Sequence, residues 1–205
     1  MMNPNSIRAV LFDFDGTLTL PGALDFPSIR AALGCPPGYP ILEFISVQDP
    51  PGRQAMMERL DFLETEAAGR STPNEGALEL IRWLRSRRTA LGILTRNSRL
   101  SVLRALENFD GLDADAFDLI ITRDDPLRPK PSGDGVLMAA RMFELDPGRI
   151  LVVGDFVYDC MAAREAGAPA VLLDPLDDPR LQSVDCDYRI RRLIELKSLL
   201  GSTVL

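Results

Sequence analysis

The chain has 205 residues, a net charge of -7, 46% hydrophobic and 26% charged residues. That length fits one medium domain, or a core domain with a small insert, and it can bury a real core. The acidic balance argues against a nucleic-acid or anionic membrane partner, and no run approaches the ~18 apolar residues of a spanning helix.

The first element is the apolar run Ile7 to Phe12, which reads as a buried strand delivering Asp13 and Asp15 to its C-terminal end. Gly16 then lets the backbone turn away. From Thr19 to Thr72 no strand is convincing. Pro21-Gly22, Pro36-Pro37-Gly38 and Pro50-Pro51-Gly52 punctuate helical candidates near Ser28–Leu33, Ile41–Val47 and Arg53–Arg70. This stretch is expected to be a small helical insert on hinges near Leu20–Ala23 and Ser71–Asn74. After it the pattern alternates regularly. A helix carries Leu78, Ile81 and Leu84 with Asn74 as its expected cap, then Ala90–Leu94 forms a strand. Ser98 caps a helix through Phe109, and Leu119–Ile121 is a short strand. A Pro-rich loop leads to Lys130 and a helix over Gly135–Phe143. Strand Ile150–Val153, helix Asp159–Ala166, strand Ala170–Leu173 and a terminal helix over Ile190–Leu200 complete the chain. Continuous apolar strands alternating with helices mean an α/β fold, a parallel sheet covered on both faces.

Two absences narrow the chemistry. There is no histidine, which removes histidine bases, nucleophile pairs and metal ligands. Lys130 and Lys197 are the only lysines among 23 basic residues, so each needs a reason. Met1–Ser6 lacks a basic region followed by an apolar one, so no secretory signal is read. Cys35, Cys160 and Cys186 are odd in number and not at metal-ligand spacing, which favours free thiols in a reducing cytoplasm.

Four polar signals therefore fall at the ends of the sheet: Asp13 with Asp15, Thr95, Lys130, and Asp155 with Asp159. Ligands of open α/β sheets bind outside the carboxyl ends of the strands. Asp13 and Asp15 repel each other unless a cation or shared proton relieves them. Taken singly, each signal is also an ordinary turn or cap residue.

In order and spacing the four signals resemble the haloacid dehalogenase superfamily, in its phosphatase branch and similar to phosphoglycolate phosphatases. Asp13-Phe14-Asp15-Gly16-Thr17-Leu18 matches the first motif, Leu94-Thr95 the second, Lys130-Pro131 the third and Gly154 to Asp159 the fourth. The resemblance implies a Rossmann-like core of residues 1–18 and 73–205, with residues 19–72 as a helical cap. It implies Mg-dependent hydrolysis of a small phosphorylated metabolite through an aspartyl-phosphate. Asp13 is then the nucleophile and Asp15 the acid and base. Mg²⁺ is held by Asp13, Asp155 and the Asp15 carbonyl, with Asp159 supporting from behind. Thr95, the Arg96 N–H, Asn97 and Lys130 hold the phosphoryl group.

Single positions separate the branches. The family's transport ATPases carry Thr where this chain has Asp15, and its phosphonate-cleaving members carry Ala there and a cap lysine that residues 19–75 lack. A phosphomutase and a catalytically idle phosphate-binding protein are the rival readings. Arg96 stands where many relatives place Asn or a small residue, and its side chain either adds a cation near the phosphate or points into solvent. Arg30, Arg53 and Arg59 are candidate readers of the leaving group, and the loop at Pro36–Pro40 or Pro50–Gly52 is expected to close over the site.

Overall fold

The computed structural model describes residues 6–201. Residues 1–5, on which the reading of no secretory signal rests, lie outside them.

Strand β1 (Ala9–Phe12) is fully buried and lies at the centre of a six-stranded sheet. Its neighbours are β2 (Ala90–Leu94) and β4 (Ile150–Gly154); β3 (Leu119–Ile121), β5 (Ala170–Leu173) and β6 (Tyr188–Ile190) extend the sheet outward in the order β3-β2-β1-β4-β5-β6. Every pairing is parallel. Strand alternation sorts the apolar residues onto two faces. Val10, Phe12, Leu91, Ile93, Leu151 and Val153 belong to one core, packed against α4 (Ala77–Ser86), α5 (Arg99–Leu106) and α8 (Leu196–Gly201). Ala9, Leu11, Ile150 and Val152 belong to the other, under α6 (Asp134–Met142) and α7 (Val157–Ala166). The fold is α/β and Rossmann-like, as the alternation predicts.

Between β1 and α4 the chain makes three helices, α1 (Phe26–Leu33), α2 (Ile41–Ser46) and α3 (Pro50–Ala68). They share a separate apolar cluster that includes Leu24, Ile29, Leu33, Ile45 and Leu60. The two ends of this insert lie side by side: Thr19 bridges Pro73, Leu20 N–H donates to the Thr72 carbonyl at 2.9 Å, and Asn74 N–H to the Leu18 carbonyl at 2.8 Å. Among the described residues no helix is long and apolar enough to cross a membrane.

Several local expectations are corrected. Helix α3 starts at Pro50, because proline is well suited to the first helical turn, where its missing N–H costs nothing. Asn74 does not cap α4; its amide donates to the Thr17 carbonyl at 2.9 Å, and Gly76, in the left-handed region at φ 77°, stands at the helix start. Residues 188–190 form β6 and the final helix begins only at Leu196. An edge strand of three residues is too short to show a period in sequence. Finally, Cys160 and Cys186 are joined in a disulfide with Cα atoms 5.6 Å apart, and Cys35 is the buried free thiol. The pairing arises because α7 and the segment before β6 flank β5, a proximity that a separation of 26 residues conceals. The thiol count therefore carries no argument about compartment.

Candidate active site

The site is assembled at the carboxyl ends of β1, β2 and β4, with the insert opposite. Asp13 continues β1 in extended conformation, its N–H donating to the Val153 carbonyl at 2.8 Å. A tight turn over Phe14–Leu18 follows, broken at Asp15 and Gly16, where Gly16 takes φ 79°. A Cβ on Gly16 would collide with the Asp155 carboxylate, and one on Gly154 with that of Asp159. Both glycines are thus spaces occupied by acid side chains.

Lys130 is buried, and its Nζ lies 2.6 Å from Asp13 Oδ1 and 2.6 Å from Asp159 Oδ1. Burial pulls its pKa down, but the charges of Asp13 and Asp159 outweigh that and the net shift is upward. Asp159 is oriented further by the Phe156 N–H at 3.1 Å, and Asp155 by the Thr17 hydroxyl at 3.1 Å. One carboxylate oxygen from each of Asp13, Asp155 and Asp159 falls within 4.8 Å of the others. The set is short of positive charge. Burial, then the charge of Asp13, pushes Asp15 up to about 7 and Asp155 up to about 8. Burial likewise raises Asp159 to about 6 despite its contact with Lys130.

Thr95 follows β2 directly and is buried; its hydroxyl accepts the Asn97 N–H at 3.2 Å. The Asn97 side-chain amide donates to Asp15. Asp15 also accepts a long bond of 3.5 Å from the Thr19 hydroxyl. The Arg96 guanidinium borders the same cavity as the acids and does not point into solvent. It donates to Glu43 of α2 at 2.6 and 2.9 Å and to the Lys130 carbonyl, and it lies 5.1 Å from the centre of the Tyr158 ring.

These residues line a cavity of about 330 Å³. Asp13, Asp15, Thr95, Arg96, Asn97, Lys130, Asp155 and Asp159 all border it, so the residues of the four sequence motifs are brought to one place. From the insert come Ile29, Arg30, Gly38, Pro40, Leu60 and Glu64. Of the two expected covering loops, 36–40 reaches the cavity, whereas 50–52 forms the first turn of α3 and does not line it. Arg53 and Arg59 are not among its lining residues; Arg53 bonds the Gln48 carbonyl and Arg59 lies over Phe62.

Sequence reasoning missed the contacts between insert and core. Arg123, just beyond β3, is buried and donates to Glu64 at 2.7 and 2.8 Å and to Asp61, both on α3. Its Nε has no partner. Glu64 also accepts from the Ser98 N–H at 3.4 Å, and burial pushes its carboxyl up to about 7 against the pull of Arg123. The strand-end rule that found Thr95 would have flagged Arg123. Nothing in the sequence marks Glu43 or Glu64.

The family model for haloacid dehalogenase-like hydrolases matches residues 7–167. An uncharacterized hydrolase of Saccharomyces cerevisiae is 33% identical over 82% of this chain and 77% of its own length. An N-acetylmuramic acid 6-phosphate phosphatase of Pseudomonas putida is 28% identical, covering 97% of this chain and 98% of the relative. A crystal structure described as a predicted phosphoglycolate phosphatase from Haemophilus somnus superposes with a TM-score of 0.73 at 21% identity, covering 95% of this chain and 98% of that one, and so supports the fold. The chain belongs to the haloacid dehalogenase-like hydrolase family and is an enzyme of that hydrolase class.

Proposed function

We propose that the protein is a phosphatase acting on small phosphate monoesters, with Asp13 as nucleophile and residues 19–72 as a cap over the site. The observation that carries this reading is the Lys130 ammonium held 2.6 Å from both Asp13 and Asp159, beside two further acids in one small cavity. Phosphatase names among the relatives support it.

Asp13 attacks phosphorus and the ester oxygen leaves, splitting one difficult displacement into two easier ones. Asp15 gives its proton to the departing oxygen; a carboxyl lifted to about 7 is protonated to a useful extent near neutral pH. The same carboxylate then takes a proton from the water that hydrolyses the aspartyl-phosphate. Asn97 and Thr19 fix the orientation of Asp15. The Thr95 hydroxyl and the Arg96 N–H donate to phosphoryl oxygens, and Lys130 neutralises charge on both the phosphoryl group and Asp13.

The residues fit Mg²⁺. The donors are hard carboxylate oxygens gathered within 4.8 Å, and burial, with the charge of Asp13 adding to it, holds Asp155 and Asp159 above the usual carboxylate range. Asp13, Asp155 and the Asp15 carbonyl would hold the ion, with Asp159 orienting its surroundings. When bound, it supplies charge neutralisation to the phosphoryl oxygens.

The test is hydrolysis of para-nitrophenyl phosphate by purified protein, with Mg²⁺ and with excess chelator. Mg-supported release of nitrophenol is expected. Release that chelation leaves untouched removes the metal from the account, and no release under any metal condition removes the phosphatase reading.

A further inference from the structure

We propose that Arg30 reads a second anionic group, a carboxylate or a phosphate, on the leaving-group side of the substrate. The substrate class is then small phosphomonoesters bearing a second negative charge. This rests on the phosphatase reading above.

Three cations line the cavity: Arg30, Arg96 and Lys130. Two are already committed. Lys130 is shared between Asp13 and Asp159, and the Arg96 guanidinium is held by Glu43 and the Lys130 carbonyl. Glu64, the one acid the insert contributes to the lining, is neutralised by Arg123. Arg30 differs from both. Its Nε donates to the Tyr39 carbonyl at 3.1 Å and its guanidinium lies 6.0 Å from the centre of the Phe26 ring, but among the described residues no carboxylate pairs with it.

Anchoring through Nε restrains the fork while leaving both terminal amino groups open. A guanidinium in that state suits bidentate recognition of a carboxylate or phosphate, and less freedom is lost when the ligand arrives. The walls beside it, Phe26, Ile29, Ile41, Leu42 and Leu60, offer no competing charge. The cavity is therefore divided. The core end, with Lys130 and Thr95, takes the phosphoryl group; the insert end presents a single open cation to whatever the phosphoryl group is attached to. A volume of about 330 Å³ lies at the small end of ligand pockets, so the second anion must belong to a compact molecule.

The experiment compares three esters of matched length: carboxyethyl phosphate, the bisphosphate of propanediol, and neutral carbamoylethyl phosphate. Wild type is expected to favour at least one charged ester over the neutral one by roughly tenfold or more in kcat/KM, the size of a lost charge-assisted contact, with the difference mainly in KM. Which charged ester is favoured tells carboxylate from phosphate. Arg30→Gln should collapse the preference to within about threefold, and Arg30→Lys should restore part of it. Each ratio is taken within one protein preparation, so a partly unfolded variant does not distort it. A wild type without preference, or an Arg30→Gln protein that keeps it, overturns the proposal. If wild type hydrolyses none of the three and releases no nitrophenol from para-nitrophenyl phosphate either, the phosphatase reading fails instead; in any case without turnover of the three, the ratio of their dissociation constants by calorimetry still decides whether Arg30 selects the second anion.

Discussion

Asp13 and Asp15 are separated by one residue yet sit in different surroundings, and those surroundings divide their roles. Asp13 faces the Lys130 ammonium, whereas Asp15 accepts hydrogen bonds from Asn97 and Thr19 and is pushed up to about 7. In the proposed mechanism that asymmetry makes one a nucleophile and the other a proton carrier in a chain without histidine. Asp15→Asn keeps the shape and removes the proton, so kcat should fall by about 10²–10⁴-fold in steady-state assays with Mg²⁺ present. A fall of less than tenfold would take the acid–base role away from Asp15. The identity of these residues was legible in sequence because the acids follow apolar strand runs in a recognisable order; that Gly16 and Gly154 are the spaces into which Asp155 and Asp159 fit is visible only in the structure. The behaviour of Arg96 was not legible. Its partner Glu43 lies 53 positions away on a helix whose placement local pattern does not determine.

Two of the ionic contacts between the helical insert and the core differ in character. Arg96 with Glu43 is partly open to solvent, at 19% and 40% side-chain exposure, and such pairs contribute about 0–1 kcal/mol. Arg123 with Glu64 is buried, at 5% and 7%, and removing one partner of a buried pair costs about 3–5 kcal/mol. Urea denaturation should therefore find Arg123→Met several-fold more destabilising than Glu43→Gln. Equal losses would mean that the buried contact is not a significant anchor between α3 and the core. The expectation of a helical insert came from proline–glycine punctuation and the spacing of Leu60, Leu63 and Ala67. Its contacts with the core could not come from that source, because nothing in the local pattern of α3 marks Asp61 or Glu64 as partners of Arg123, about 60 positions away. The same limit hid β6 and the Cys160–Cys186 bond, both of which depend on where β5 sits in the sheet.

For the whole molecule, the acid cluster makes stability depend on pH and metal. Asp15, Asp155 and Asp159 have folded-state values of about 7, 8 and 6 against 3.8, and Glu64 about 7 against 4.5. The folded metal-free protein thus keeps protons that the unfolded chain has already released. Stability from these groups is full below their unfolded values and is lost as pH rises through about 6 to 8. The melting temperature of chelator-treated protein should fall across that window. Mg²⁺ competes with the same protons, so it should raise the melting temperature more at about pH 8 than at about pH 6. A melting temperature that climbs with pH without metal, or an equal Mg²⁺ effect at both values, would contradict the electrostatic account of the site.

The central claim is that the Asp13 carboxylate attacks phosphorus. Acid quenching during turnover of a monoester with a radiolabelled phosphoryl group, followed by peptide mapping, tests it directly. The expected result is a hydroxylamine-sensitive label on the peptide containing Asp13, absent from Asp13→Asn, which should also be inactive. Steady turnover with no covalent label, label on another residue, or an Asp13→Asn protein as active as wild type would contradict it.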